Sequence, residues 1–167
     1  MSVEEHRRKA QKSVKFAVIT ISDTRMQKDD LSGSAIIEVM ESAGHKSTRR
    51  VIVKDELFEI QRVLREMIED SDIQAIVMNG GTGVSKRDVT LEAVSDFIEK
   101  PLPGFGELFR ALSFEEIGSA AMMSRALGFV SEGKIVFCLP GSEKAVRLAA
   151  GRLIAPELGH LVWEAGR

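Results

Sequence analysis

Gly80-Gly81-Thr82-Gly83, followed at short range by Lys86-Arg87-Asp88, is the segment of this chain whose residue types best fit a chemistry. Glycines tolerate positive φ and close backbone approach, so several N–H groups can converge on phosphate oxygens near a following helix N-terminus. The spacing is neither that of a Walker loop, since no Gly-Lys-Ser/Thr follows, nor GxGxxG. Taken alone, the four residues are equally compatible with a tight strand-to-helix connection that binds nothing. Two cations and a carboxylate at Lys86-Arg87-Asp88 tilt the reading toward phosphate, although Asp88 also suits a helix cap. Asp55 follows another strand-like run, and the fold expected below brings it near the rim that carries Asp88 and Asp23. Carboxylates grouped beside a phosphate site suit Mg²⁺, which takes one or two carboxylates together with substrate phosphates. Any one of these acids is equally readable as a solvated surface group.

The elements that must position these residues alternate along the chain. Residues 15–21 (KFAVITI) are nearly continuously apolar and rich in β-branched types, as in a strand buried on both faces. A polar loop opening on Ser22-Asp23-Thr24 precedes helical spacing over residues 31–43, with Gly44 as the stop. A second extended run, residues 45–54, leads through Asp55-Glu56 into a helix over 57–69, whose stripe is Leu57, Ile60, Leu64, Met67 and Ile68. Residues 74–79 form a further buried-type strand, followed by the glycine loop and an expected helix over 89–99. Pro101 and Pro103 end that helix. Residues 105–117 read as helical with a possible new N-cap at Ser113, and another helix is expected through Met122, Met123 and Ala126.

Residues 127–130 and 134–139 are strand-like and separated by too few residues for a parallel crossover, so an antiparallel pair is expected. Pro140-Gly141-Ser142 precedes a helix over 143–154, and Pro156 starts a last helix carrying Trp163. The sum is an α/β chain: a three-layer α/β/α domain over residues 15–167, with a mostly parallel sheet, one antiparallel strand pair and a charged tail at residues 1–14. In such a sheet ligands sit beyond the carboxyl ends of the strands. Three loops leave those ends: Ser22-Asp23-Thr24, residues 80–88, and Pro140-Gly141-Ser142.

Composition narrows the partners. The 167 residues, 44% hydrophobic and 29% charged, suffice for one core without disulfides or structural metal. A net charge of −2 offers no field for nucleic acid or an anionic membrane. No apolar run approaches a membrane span and the first residues lack a secretory core, so a cytoplasmic location is expected. Cys138, the single cysteine, reads as a buried inert thiol. His6, His45 and His160 contain no pair at metal-ligand spacing, so a zinc site is not expected, and the charges of residues 4–12 read as a solvated face or loosely ordered arm.

Taken in order, ITISDT (residues 19–24), VKDE (53–56), NGGTGVSKRDVT (79–90), PGFGELFRALSFEEIG (103–118), MSRA (123–126) and LPGSEKA (139–145) resemble the MogA/MoaB family of molybdenum cofactor biosynthesis proteins. The likeness runs from about residue 15 to 161, and FRALSFEEIG is similar to the MoaB branch. The resemblance implies a molybdopterin-binding fold whose active members transfer AMP from Mg-ATP to the terminal phosphate of molybdopterin, releasing pyrophosphate. It implies Asp55 and Asp88 as the required acids, with Mg²⁺ held between them. Ser22 and Asp23 would form a first substrate loop, while Gly80, Gly81, Thr82, Gly83, Lys86 and Arg87 would neutralise and position phosphates. Ser124, Pro140, Gly141 and Ser142 would make further ligand contacts, and a homo-oligomer, trimer or hexamer, is implied. Some MoaB-branch members lack the Arg-Asp-Val-Thr segment and do not catalyse the transfer; this chain keeps it at residues 87–90. Lys54 precedes Asp55 where proline is common in the MogA branch. The alternative is a non-catalytic molybdopterin-binding or scaffold protein of the same pathway.

Overall fold

Continuous apolarity carries Lys15–Ile21 (β1) into the middle of a sheet, where only Lys15 is exposed. The computed structural model describes residues 2–167, in which β1 is flanked by Lys46–Val53 (β2) and by the wholly buried Ala75–Asn79 (β3). Lys134–Leu139 (β6), Leu127–Ser131 (β5) and Lys100–Leu102 (β4) complete six strands in the order β2-β1-β3-β6-β5-β4. β1, β2, β3 and β6 run parallel, and β5 runs antiparallel to β6 as its two-residue connection, Glu132-Gly133, requires.

Side chains of β1 alternate between two cores. Phe16 and Val18 join Ile36, Met40, Phe109, Val146 and Leu158 on one face, while Ala17 and Ile19 join Ile60, Leu64 and Met67 on the other. The first face is covered by Leu31–Ser42 (α2), Pro103–Ile117 (α5), Glu143–Ala149 (α6) and Ala155–Ala165 (α7); the second by Leu57–Glu69 (α3) and Thr90–Val94 (α4). The result is the three-layer α/β/α architecture. Cys138 lies wholly within the second core, and burial pushes its thiol pKa up to about 12, which keeps it inert.

Several elements depart from the sequence expectation. The helix expected over 89–99 is only α4 plus a 3₁₀ turn at Ser95–Phe97, and the proline-bearing β4 follows it. β4 pairs with β5 alone and is an edge strand, the one place in a sheet where Pro101 removes no needed donor. Ser113 is no N-cap: it is buried inside the single helix α5. The helix expected through residues 122–126 is a 3₁₀ segment, Gly118–Met123. α6 and α7 are not separate either. A π-helical stretch, Ala150–Ile154, joins them, and widening the turn there accommodates the missing N–H of Pro156.

The charged N-terminus is also structured. Ser2 and Glu5 form a reciprocal capping box that starts a short helix, Val3–Lys9 (α1), and Arg7 pairs with Glu157 of α7. That helix buries no residue of its own, so polar contacts rather than core packing hold it. No helix among the described residues is long and apolar enough to cross a membrane.

Candidate functional site at the β1/β3 switch point

From β1 the chain passes through α2 to β2 on one side, and then returns through α3 to β3 on the other. The carboxyl ends of β1 and β3 therefore splay their loops apart, which opens the crevice that doubly wound sheets use for ligands. The two strand ends are braced from below. Thr20 lies opposite Asn79; Asn79 Nδ2 donates to Thr20 Oγ1 at 2.9 Å, and that hydroxyl donates to the buried Asp30 at 2.8 Å. Arg50 from β2 pairs with the same Asp30 oxygen at 2.9 Å, while Gly33 N–H caps the other at 2.9 Å.

The glycine loop crosses this brace with no room for a side chain at Gly80 or Gly81. Gly80 has φ +98°, and a Cβ there would run into the carbonyl oxygen of Ile21. Gly81 has φ +66°; its Cβ would meet Thr90 Oγ1 and come within 3.0 Å of Asp55 Oδ1. The loop carbonyls are all tied back. Thr90 Oγ1 donates to Gly80 O at 2.8 Å, Thr90 N to Gly81 O at 3.1 Å, Arg125 N to Thr82 O at 3.2 Å and Arg125 Nε to Gly83 O at 2.9 Å. By contrast, the amides of Gly81, Thr82 and Gly83 donate to no acceptor among the described residues. Carbonyls turned inward and amides left free is the polarity an anion requires.

The carboxylates stand around that loop in different states. Asp23 is exposed; a close Arg87 guanidinium, with help from the Asp55 amide at 3.1 Å, holds its carboxyl below the ordinary value. Asp55 shifts the other way. Burial pushes its carboxyl up, the amide of Val89 opposes this, and the negative charges of Asp23 and Asp88 add to the rise. Asp55 Oδ1 is buried with no hydrogen-bond partner. Asp88 Oδ2 accepts from Ser85 N at 2.9 Å, so Asp88 closes a turn within the loop, whereas the α4 N-cap is Val89 with no side-chain bond.

The structure thus gathers Asp23, Asp55, Arg87, Asp88 and the glycine loop. Gly80, Gly81, Thr82, Gly83, Asp88, Met123, Ser124, Pro140 and Gly141 line a cleft of about 290 Å³. Beside it, Ser22, Asp23, Arg25, Arg50 and Lys54 contribute to a second cleft of about 350 Å³. Larger hollows, about 570 and 620 Å³, lie along α1, α5 and α7, away from these carboxylates and free amides, so size does not mark the site.

Two residues expected to touch ligand also carry structural tasks. Ser22 Oγ accepts from the amides of Thr24 at 3.3 Å and Arg25 at 3.1 Å, and Ser142 Oγ caps α6 through Ala145 N at 3.2 Å. Lys86 is exposed and makes no ion pair among the described residues. Arg125 and Arg25 were not singled out from sequence. Arg125 also reaches Asp88 O at 3.3 Å and Glu92 at 2.5 Å; Arg25 donates to Gly141 O at 3.1 Å and, with Ser32, fixes the loop after β6. Their roles depend on reaching carbonyls far along the chain, so no local spacing signals them.

Residues 17–160 match the family described as "Probable molybdopterin binding domain". The chain is 52% identical to molybdenum cofactor biosynthesis protein B of Halalkalibacterium halodurans, covering 98% of this chain and 97% of that protein. Among solved structures it is similar to a molybdenum cofactor biosynthesis protein B, with TM-score 0.90 and 49% identity over 92% of this chain and 96% of that one. It is also similar to the tungsten cofactor synthesizing protein MoaB from Pyrococcus furiosus, with TM-score 0.84 and 36% identity over 95% and 100%.

Proposed function

We propose, from the premise that this chain belongs to the molybdopterin-binding MoaB family of cofactor biosynthesis proteins, that it transfers AMP from Mg-ATP to the terminal phosphate of molybdopterin. One observation carries the reading: the buried, unpartnered Oδ1 of Asp55 faces Gly81, beside three free loop amides and the charge of Asp88. Leaving that one oxygen orphaned and buried is costly, and a purely structural role gives no reason for the cost.

In the proposed reaction an oxygen of the molybdopterin phosphate attacks the α-phosphorus of ATP. The bond from that phosphorus to the bridging oxygen breaks, and pyrophosphate leaves with its electron pair. The protein supplies positioning and charge rather than a covalent nucleophile. The amides of Gly81, Thr82 and Gly83 cradle one phosphate, and Lys86 is free to neutralise charge on the other. Asp55 and Asp88 fit Mg²⁺, since Asp55 offers an unpartnered oxygen and Asp88 engages only Oδ2 within the loop. When bound, the ion supplies charge neutralisation at the phosphate oxygens.

Association of several copies fits the same reading. Leu108, Phe114, Ile117, Met122 and Met123 are exposed on α5 and the 3₁₀ segment after it, with Met122 77% accessible. Met123 also lines the glycine-loop cleft, so a trimer or hexamer packed through this surface would border the site.

The test is molybdopterin-dependent pyrophosphate release from ATP and Mg²⁺, with Asp88→Asn as control. Release that requires molybdopterin and is lost in Asp88→Asn is the expected result. Molybdopterin binding without any release over long incubation would make the chain the non-catalytic binding protein instead.

A further inference from the structure

The three histidines show no ligand spacing along the sequence, yet folding sets the rings of His6 and His160 with centroids 5.7 Å apart. His6 lies on α1 and His160 on α7, where Glu164 stands one turn beyond. One donor atom from each of His6, His160 and Glu164 falls within 4.8 Å of the others. Glu164 Oε1 sits 2.7 Å from His6 Nδ1 and 3.8 Å from His160 Nε2. Tetrahedral zinc with bonds of about 2.0–2.2 Å separates neighbouring ligands by roughly 3.3 Å, so small side-chain rotations suffice.

We propose that His6, His160 and Glu164 form a transition-metal site, of zinc type, that clips the N-terminal helix to the C-terminal one. Three observations support it. First, Glu164 Oε1 is buried with no hydrogen-bond partner, so its contact with His6 is not an aligned hydrogen bond. Second, the remaining oxygen of Glu164 is occupied by Arg167 at 3.3 Å, which leaves Oε1 as the free donor.

Third, His160 Nδ1 faces Glu157 Oε2 at 3.2 Å, the carboxylate–histidine arrangement that orients a metal-binding ring. An Nδ1–H donated to Glu157 puts the lone pair on Nε2, the atom that faces Glu164. Arg7 pairs with the other oxygen of the same carboxylate, which fixes Glu157 in place beside the ring. The donor set of two imidazoles and one carboxylate favours zinc-type ions over Mg²⁺, and a fourth position is left for water.

The probe is Zn²⁺ alone, titrated into untagged, metal-stripped protein against a chromogenic chelator. One ion per chain is expected. His6→Gln and His160→Gln should each weaken binding by about tenfold or more, and Glu157→Gln by about tenfold through its loss as orienting partner. Asp88→Asn should bind as tightly as the native chain. Trp163, the single tryptophan, has its ring 5.5 Å from that of His6, so Co²⁺ should quench its fluorescence in the native chain and not in His6→Gln. His6→Gln leaves the core untouched, because α1 buries no residue. Absence of stoichiometric Zn²⁺ binding, or unchanged affinity in both folded histidine variants, overturns the proposal.

Discussion

The amide of Asp55 donates to Oδ1 of Asp23 at 3.1 Å, so two acids from the ends of neighbouring parallel strands share one rim. Arg87 pairs directly with Asp23 and is only the least of the influences on Asp55, whose charge is opposed by burial and by Asp23 and Asp88. The pair explains why adjacent carboxylates move in opposite directions. Asp23 holds its charge easily, and Asp55 holds its charge at a cost.

That cost makes Asp55 a site where activity and stability diverge. Its folded-state carboxyl is raised, so the protonated form favours the fold; this contribution is present below the ordinary carboxylate value and is lost as pH rises through the raised one. Asp55→Asn should abolish pyrophosphate release while raising the ligand-free Tm at pH 7 by on the order of 1–3 °C. The gain should vanish near pH 3. Thermal melts at the two pH values check the sign, and a lower Tm at pH 7 would count against a strained acid.

Gly81→Ala tests the loop geometry. With φ +66° and a Cβ directed at Thr90 Oγ1, the substitution should cost about 1–3 kcal/mol in urea unfolding. It should also reduce pyrophosphate release by more than about a hundredfold, because the free amides move. Retained turnover would mean that this loop holds no reacting phosphate.

Arg125→Lys should separate positioning from charge. Lysine keeps the cation but cannot reach Gly83 O and Asp88 O together while pairing Glu92, as the guanidinium does. A loss of about 1–2 kcal/mol in stability and about ten- to a hundredfold in kcat/KM is expected. A fall in kcat with KM little changed would locate the defect in alignment of the phosphates.

Asp30→Asn addresses the brace beneath the site. Asp30 is 1% exposed and accepts from Arg50, Thr20 and Gly33, so removing its charge strands a largely buried arginine. A destabilisation of about 3–5 kcal/mol is expected in chemical denaturation. Replacing Asp30 and Arg50 together by apolar residues should recover part of it, and a double-mutant cycle measures the coupling.

The sequence by itself determined the repeating strand-helix order, the strands buried on both faces and the ordered motifs that carry the family likeness. These are local: periodicity, β-branched runs and glycines are written within a few residues of one another. It did not disclose β4, because Pro101 argues against a strand until the strand is known to be an edge. Nor did it disclose the π turn before Pro156, or that residues 3–9 form a helix against α7.

Only the tertiary structure decided which polar groups meet. Asp23, Asp55 and Asp88 converge because the strand order reverses between β1 and β3, and Arg125 reaches the glycine loop from far along the chain. The same holds for His6 and His160, which no spacing could pair. A carboxylate, a guanidinium and an imidazole carry the same label in any sequence; the partners that set their charge, burial and availability are supplied by folding.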